Sequence, residues 1–164
     1  MEMLRIAVLL AATITMGIGA GVYLLYSFAI MPGLRRVSDR TFIGAFQQID
    51  TAIVGPFLLI FFFGPLILTI LAGALHLGQE ERSMLPWIGI AFSLQLAIFA
   101  ITLVINVPLN NGIKAAGNPD TIDDISAVRQ RFNEAKWAGW NLFRSVTSTV
   151  SVACLAWALV LIER

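Results

Sequence analysis

Apolar residues fall in four long runs, at residues 6–31, 56–77, 87–107 and 146–162, and the stretches between them collect most of the charge. A hydrocarbon core about 30 Å thick is crossed by about 20 apolar residues at a helical rise of about 1.5 Å. The pattern predicts one integral membrane domain over residues 1–164. Its fold class is all-α: a four-helix bundle with a long third connection and a fourth helix extended on the cytoplasmic side. The first run exceeds the apolar region of a signal peptide, about 7–15 residues, and is read as a retained helix.

Glycine and proline punctuate these runs. Gly17 and Gly21 form a small-xxx-small pair, suited to close helix approach and to a homo-oligomer. Met31-Pro32-Gly33 is expected to break the first helix. Beyond it, Phe42, Phe46, Ile49 and Ile53 recur at helical spacing, a stripe suited to the membrane interface or to the core. Pro56 suits the opening turn of span two, and Gly64-Pro65 predicts a kink within it, because proline removes a backbone hydrogen bond. A short turn, Gly78 to Pro86, leads to span three. Pro108 is expected to end or bend that span, with Gly112, Gly117, Asn118 and Pro119 in a loop. Thr121 then caps a helix from about Ile122, with Asp123 and Asp124 near its positive end. Ile125, Val128 and Phe132 carry it into span four.

Composition agrees with a lipid environment. Charged residues are 13% of the chain and mean hydropathy is +0.83, whereas a soluble domain carries about 25% charge. A net charge of +1 gives no bulk attraction for nucleic acid. Cys154 and His76 are each the sole residue of their type, so no disulfide or cysteine–histidine metal set is expected. Cys154 reads as a packing residue, and His76 as a polar tip at the interface. Arg35, Arg36, Arg40, Lys114, Arg129, Arg131, Lys136 and Arg144 lie on one side, against Arg5, Arg82 and Arg164 on the other. The positive-inside rule puts the two long connections in the cytoplasm and both termini outside. The small size suits a bacterial inner membrane.

Polar residues that remain in lipid are the best functional evidence in such a chain. Gln95, Thr102, Asn106 and Asn110 share one face of span three. Trp137, Asn141, Arg144, Ser148 and Ser151 share one face of the fourth helix. Tyr26, Gln47 and Asp50 belong to the same end of the bundle. In an antiparallel bundle these groups can converge on one pocket. They can also be helix-joining amides, a snorkelling arginine and an aromatic belt of Trp137 and Trp140.

Asn106-Val107-Pro108-Leu109-Asn110, followed by Trp137-x-x-x-Asn141-x-x-Arg144, resembles the anthrone-oxygenase-like family. The glycine-rich first span ending in Met31-Pro32-Gly33-Leu34 is similar too, so the resemblance covers essentially the whole chain. It implies oxidation of an anthrone to an anthraquinone by molecular oxygen, with no known cofactor. An anthrone is flat, apolar and mildly acidic, so such a site needs an apolar slot, a proton acceptor and donors for an oxyanion. Arg144, Asn106 and Asn141 are the candidate donors and Asp50 the candidate base. Asn110, Trp137, Trp140 and Tyr26 are candidates for the substrate wall. The expected partners are membrane lipids and a small hydrophobic aromatic ligand. Two other readings stay open: a non-catalytic binder of a lipid or quinone-like molecule, and a structural helical oligomer.

Overall fold

The computed structural model describes residues 1–78 and 82–162. Part of the turn between spans two and three, and Arg164 of the charge comparison, therefore lie outside the described residues. Among the described residues five helices form: α1 (Glu2–Leu34), α2 (Asp39–Ile53), α3 (Pro56–His76), α4 (Leu85–Ala115) and α5 (Ile125–Ile162). All but α2 are long and apolar enough to cross a membrane. No strand occurs among the described residues.

The four long helices form a square, α1 beside α3 and α5, and α4 beside the same two. Neighbours run antiparallel, as their cross-links show. Arg5 near the start of α1 donates to the Leu75 carbonyl near the end of α3 at 2.8 Å. Gln95 of α4 donates to Thr69 of α3 at 3.0 Å and to Ser151 of α5 at 3.3 Å. The half of the bundle near the termini is apolar, with Leu9, Ala12, Ala72, Ala91, Leu155 and Ala158 wholly enclosed. Cys154 packs there as expected. His76, expected at the interface, is 2% exposed instead, and its Nδ1 lies 2.7 Å from the Ala72 carbonyl of its own helix.

The other half is closed by α2. Ser38 caps it, accepting the Thr41 amide at 3.3 Å. Its apolar stripe turns into the protein and not toward lipid. Phe42, Ile43 and Phe46 pack with Phe132, Ile113 and Trp137 in a second core. Gln47 donates to the carbonyls of Ile113 and Gly117 at 2.9 and 3.0 Å, tying α2 to the end of α4 and satisfying carbonyls that a helix terminus leaves free.

Two prolines act differently from the expectation. The first helix does not break at Pro32 but continues to Leu34, and α4 runs through Pro108 and Gly112 to Ala115. Ahead of Pro32, Pro65 and Pro108 the helix widens into a π-helical turn, at Tyr26–Ile30, Leu59–Phe63 and Thr102–Asn106. A proline ring clashes with the carbonyl four residues back and offers it no proton. Each wide turn is centred on that carbonyl, so the helix accommodates the ring without ending. The residue just before each proline instead donates to the carbonyl five back: Met31 to Tyr26, Gly64 to Leu59 and Val107 to Thr102. At Pro65 the freed carbonyl of Phe61 turns toward α1, where a Cβ on Gly19 would stand only 3.1 Å from it.

Two further details differ. Asp124, not Thr121, caps α5, accepting the Ala127 amide at 2.9 Å. The helix from residue 125 is interrupted at Asn133, whose φ of 51° puts it in the left-handed region, and resumes at Glu134. A Cβ at Gly17 or Gly21 would meet nothing within 4 Å, so that small-residue face is open.

Burial assigns stability to the α2 face. Phe46→Ala is expected to cost about 3–5 kcal/mol, the range for a large buried aromatic. Ile67→Ala on an exposed face should shift stability by no more than about 0.5 kcal/mol. Unfolding by sodium dodecyl sulfate titration in mixed micelles measures both.

Candidate functional site

Between the π-helical turns and the α2 cap lies a cavity of about 300 Å³. Its apolar wall includes Val22, Ile53, Leu58 and Phe62, and its aromatic faces are Tyr23, Tyr26, Phe46 and Trp137. Its polar groups are Asp50, Thr102, Asn110, Asn111, Lys114, Asn141 and Arg144. All three widened turns supply a residue to it, Tyr26, Phe62 and Thr102.

Arg144 is the deepest charge. It is 5% exposed, so it does not snorkel to headgroups. Its Nη1 donates to Thr102 Oγ1 at 3.0 Å and its Nη2 to Asn141 Oδ1 at 2.8 Å. Its Nε is buried with no hydrogen-bond partner. The guanidinium lies over the Tyr23 ring, 4.7 Å from the centroid, and 5.8 Å from that of Trp137, within cation–π range. Asn141 is held in turn: its Nδ2 donates to the Tyr23 carbonyl at 2.9 Å and to Ser27 Oγ at 2.7 Å. That arrangement fixes the amide, since the oxygen must face the guanidinium and the nitrogen the carbonyl.

Nearer α2, a second chain of bonds positions a carboxylate. Trp137 Nε1 donates to Asn110 Oδ1 at 2.7 Å, and Asn110 Nδ2 donates to Asp50 Oδ1 at 2.6 Å. Lys114 Nζ lies 2.7 Å from Asp50 Oδ2. Again only one amide orientation serves both neighbours, so Asn110 is locked between an indole donor and a carboxylate acceptor. The Trp137 ring stands at 5.6 Å and 88° to Phe46, and at 5.4 Å to Tyr26.

Six of the eight residues expected from the sequence therefore line one cavity: Tyr26, Asp50, Asn110, Trp137, Asn141 and Arg144. Two do not. Asn106 is buried beside it, its Nδ2 reaching the Trp137 carbonyl at 3.4 Å and its Oδ1 left without a partner. Trp140 lies on the outer surface, 36% exposed, against Phe143. Lys114 and Tyr23 were not among the expected site residues, and Thr102 was read on the pocket face of span three without a role of its own. Lys114 follows Asn110 by four positions, a same-face spacing hidden by reading Gly112 as loop.

A family model described as anthrone oxygenase matches residues 57–154, more than half of the chain. The chain belongs to the anthrone oxygenase family. The match to that family is narrower than the whole-chain resemblance read from the sequence. It spans Asn110, Lys114, Trp137, Asn141 and Arg144, whereas Tyr23, Tyr26 and Asp50 precede it. No curated protein and no solved structure matches the chain.

The bonding separates the two tryptophans. Trp137→Phe should lower stability by about 0.5–1.5 kcal/mol through the lost donor to Asn110 and weaken binding of any flat ligand in the cavity. Trp140→Phe should leave both nearly unchanged. Thermal unfolding in detergent and ligand titration on both variants check this.

Proposed function

We propose that this protein binds a flat, acidic aromatic molecule in the cavity and oxidises it with molecular oxygen, as the name of its family suggests. One observation carries the reading: a buried guanidinium and a positioned carboxylate occupy different parts of one aromatic-walled hollow. Pockets for small molecules have this character, mostly apolar with few convergent polar groups, and about 300 Å³ is the lower end of their range. That size fits one small ligand.

The chemistry is built from these groups. Asp50 takes a proton from the methylene of the substrate, leaving an enolate whose oxygen is stabilised by Arg144, with Asn141 holding the guanidinium in place. The enolate carbon transfers an electron to oxygen, and the resulting pair joins through a new carbon–oxygen bond. Protonation gives a hydroperoxide. Loss of the remaining hydrogen from that carbon, with cleavage of the oxygen–oxygen bond, yields a ketone and water. One methylene and one dioxygen thus become one carbonyl and one water. Asn110 and Lys114 are positioning residues for Asp50, and Trp137 stacks on the substrate face. The surrounding apolar helices limit water, which strengthens every charge interaction in the cavity.

The pocket end carries Arg35, Arg36, Arg40, Lys114, Arg129, Arg131 and Lys136, so the positive-inside rule supports a cytoplasmic pocket and outward termini, with a bacterial inner membrane as the setting. Membrane lipids then surround the spans, and the apolar substrate is drawn from the same bilayer.

One observation favours binding without turnover. Both carboxylate oxygens of Asp50 are already engaged, by Lys114 and Asn110, so a substrate proton has to compete with partners already in place. Oxygen uptake by purified protein supplied with anthrone decides between the two readings. Oxidation predicts uptake that Asp50→Asn reduces by about 10²–10⁴-fold, the usual contribution of a general base. Binding of anthrone with no uptake above its spontaneous oxidation would leave only the binding reading.

A further inference from the structure

We infer that the cavity selects its aromatic ligand as an anion, and that an ionised ring oxygen completes the charge balance at Arg144. The inference rests on the cavity being a ligand site, but not on turnover there.

The charge count on the cavity wall is simple. Asp50 and Lys114 form an ion pair and cancel. Arg144 is left over, because a guanidinium stays protonated in proteins. Its hydrogen-bond partners, Thr102 and Asn141, are neutral. The carboxylates that form ion pairs among the described residues all do so with other cations: Glu134 with Arg35 and Arg129, Asp39 with Arg129, Asp120 with Arg40, and Asp50 with Lys114. An enclosed charge without a counter-ion is costly, and within a membrane-spanning bundle no bulk water offsets it. Stacking on Tyr23 relieves part of that cost and leaves Nε buried without an acceptor. A single negative oxygen in the cavity that Arg144 lines supplies the missing charge.

The walls restrict what carries that oxygen. Tyr23, Tyr26, Phe46 and Trp137 present ring faces and edges around the cavity, a lining for flat rings. The ligand class is therefore the mono-anion of a flat aromatic hydroxy compound. Fused-ring phenols and hydroxyquinones belong to it as well as enolates. Hydroxyquinones that cannot be oxidised should accordingly occupy the site and compete with substrate.

A matched pair of dyes tests this: 2-hydroxyanthraquinone, whose visible band moves on ionisation, and anthraquinone, which has no acidic group. Neither has a methylene, so binding is read apart from oxidation. Both are titrated into protein in detergent micelles, with empty micelles as reference. The expected result is tighter binding of the hydroxyquinone by about tenfold or more, with its ionisation midpoint lowered by about one unit in the bound state. Arg144→Gln should abolish both effects, while Arg144→Lys, which keeps the charge, should retain a weaker shift. Equal affinity for the two dyes, an unchanged ionisation midpoint on binding, or full preference in a folded Arg144→Gln protein would each overturn the inference. If the glutamine variant does not fold, the wild-type pair and the lysine variant decide the same question. Failure of oxygen uptake with the dye preference intact would remove the oxidation reading and leave this one standing.

Discussion

A guanidinium enclosed by apolar helices constrains everything around it. Placing arginine at mid-membrane costs on the order of 3 kcal/mol even by the mildest measure, so its donors must be met by groups that cannot drift. Thr102 meets one from α4 and Asn141 another from α5, and Asn141 then grips α1 through Tyr23 and Ser27. Three of the four spans are thus joined by bonds radiating from one side chain. In the half of the bundle nearer the termini, Gln95 joins α4 to α3 and α5 through Thr69 and Ser151, amid methyl and methylene packing of Leu9, Leu155 and their neighbours.

The prolines make room for that arrangement. An unbroken α-helix would carry all the side chains of α1, α3 and α4 in one fixed register. A π-helical turn accommodates an extra residue and rotates the residues beyond it. Such turns occur in the three spans that precede α5, and each contributes to the cavity wall. The residue before each proline keeps a backbone hydrogen bond by reaching five back, and the helix continues, as lipid demands. The close approach of the Phe61 carbonyl to Gly19 shows the local cost: with that carbonyl displaced, the facing position has space for little beyond a hydrogen atom.

Much of this was legible in the chain because a bilayer imposes length and makes polarity rare. Four apolar runs gave four spans, and offsets of three and four put Trp137, Asn141 and Arg144 on one face. The features that failed to read through have equally physical causes. Trp140 is only three residues from Trp137, and periodicity alone does not tell the centre of a face from its edge. Asn106 and Asn110 are four apart on one face, but spacing does not say what each meets: one bonds to the α5 backbone and the other reaches Asp50. Lys114 was hidden by its glycine neighbour, since Gly112 suggested a loop where backbone bonding continues the helix. The amphipathic face of α2 was evident, but whether lipid or protein covers such a face depends on Phe132 and Trp137 arriving from a distant segment.

The proposed deprotonation would be divided between the two chains of bonds. Arg144 sits deep, enclosed by the spans, whereas Asp50 and Lys114 belong to the end where α2 meets α4 and retain 13% and 33% of their side-chain exposure. In the proposed reaction, a proton taken by Asp50 would therefore pass toward solvent. The negative charge left on the substrate would lie nearer the guanidinium, in surroundings of low dielectric where their attraction is strong. Exchanging the two positions would enclose the carboxylate, raise the cost of ionising it, and expose the guanidinium to screening by water and salt. The order observed, a cation more enclosed than the carboxylate, is the one in which the proposed substrate, held between them, would be easiest to ionise.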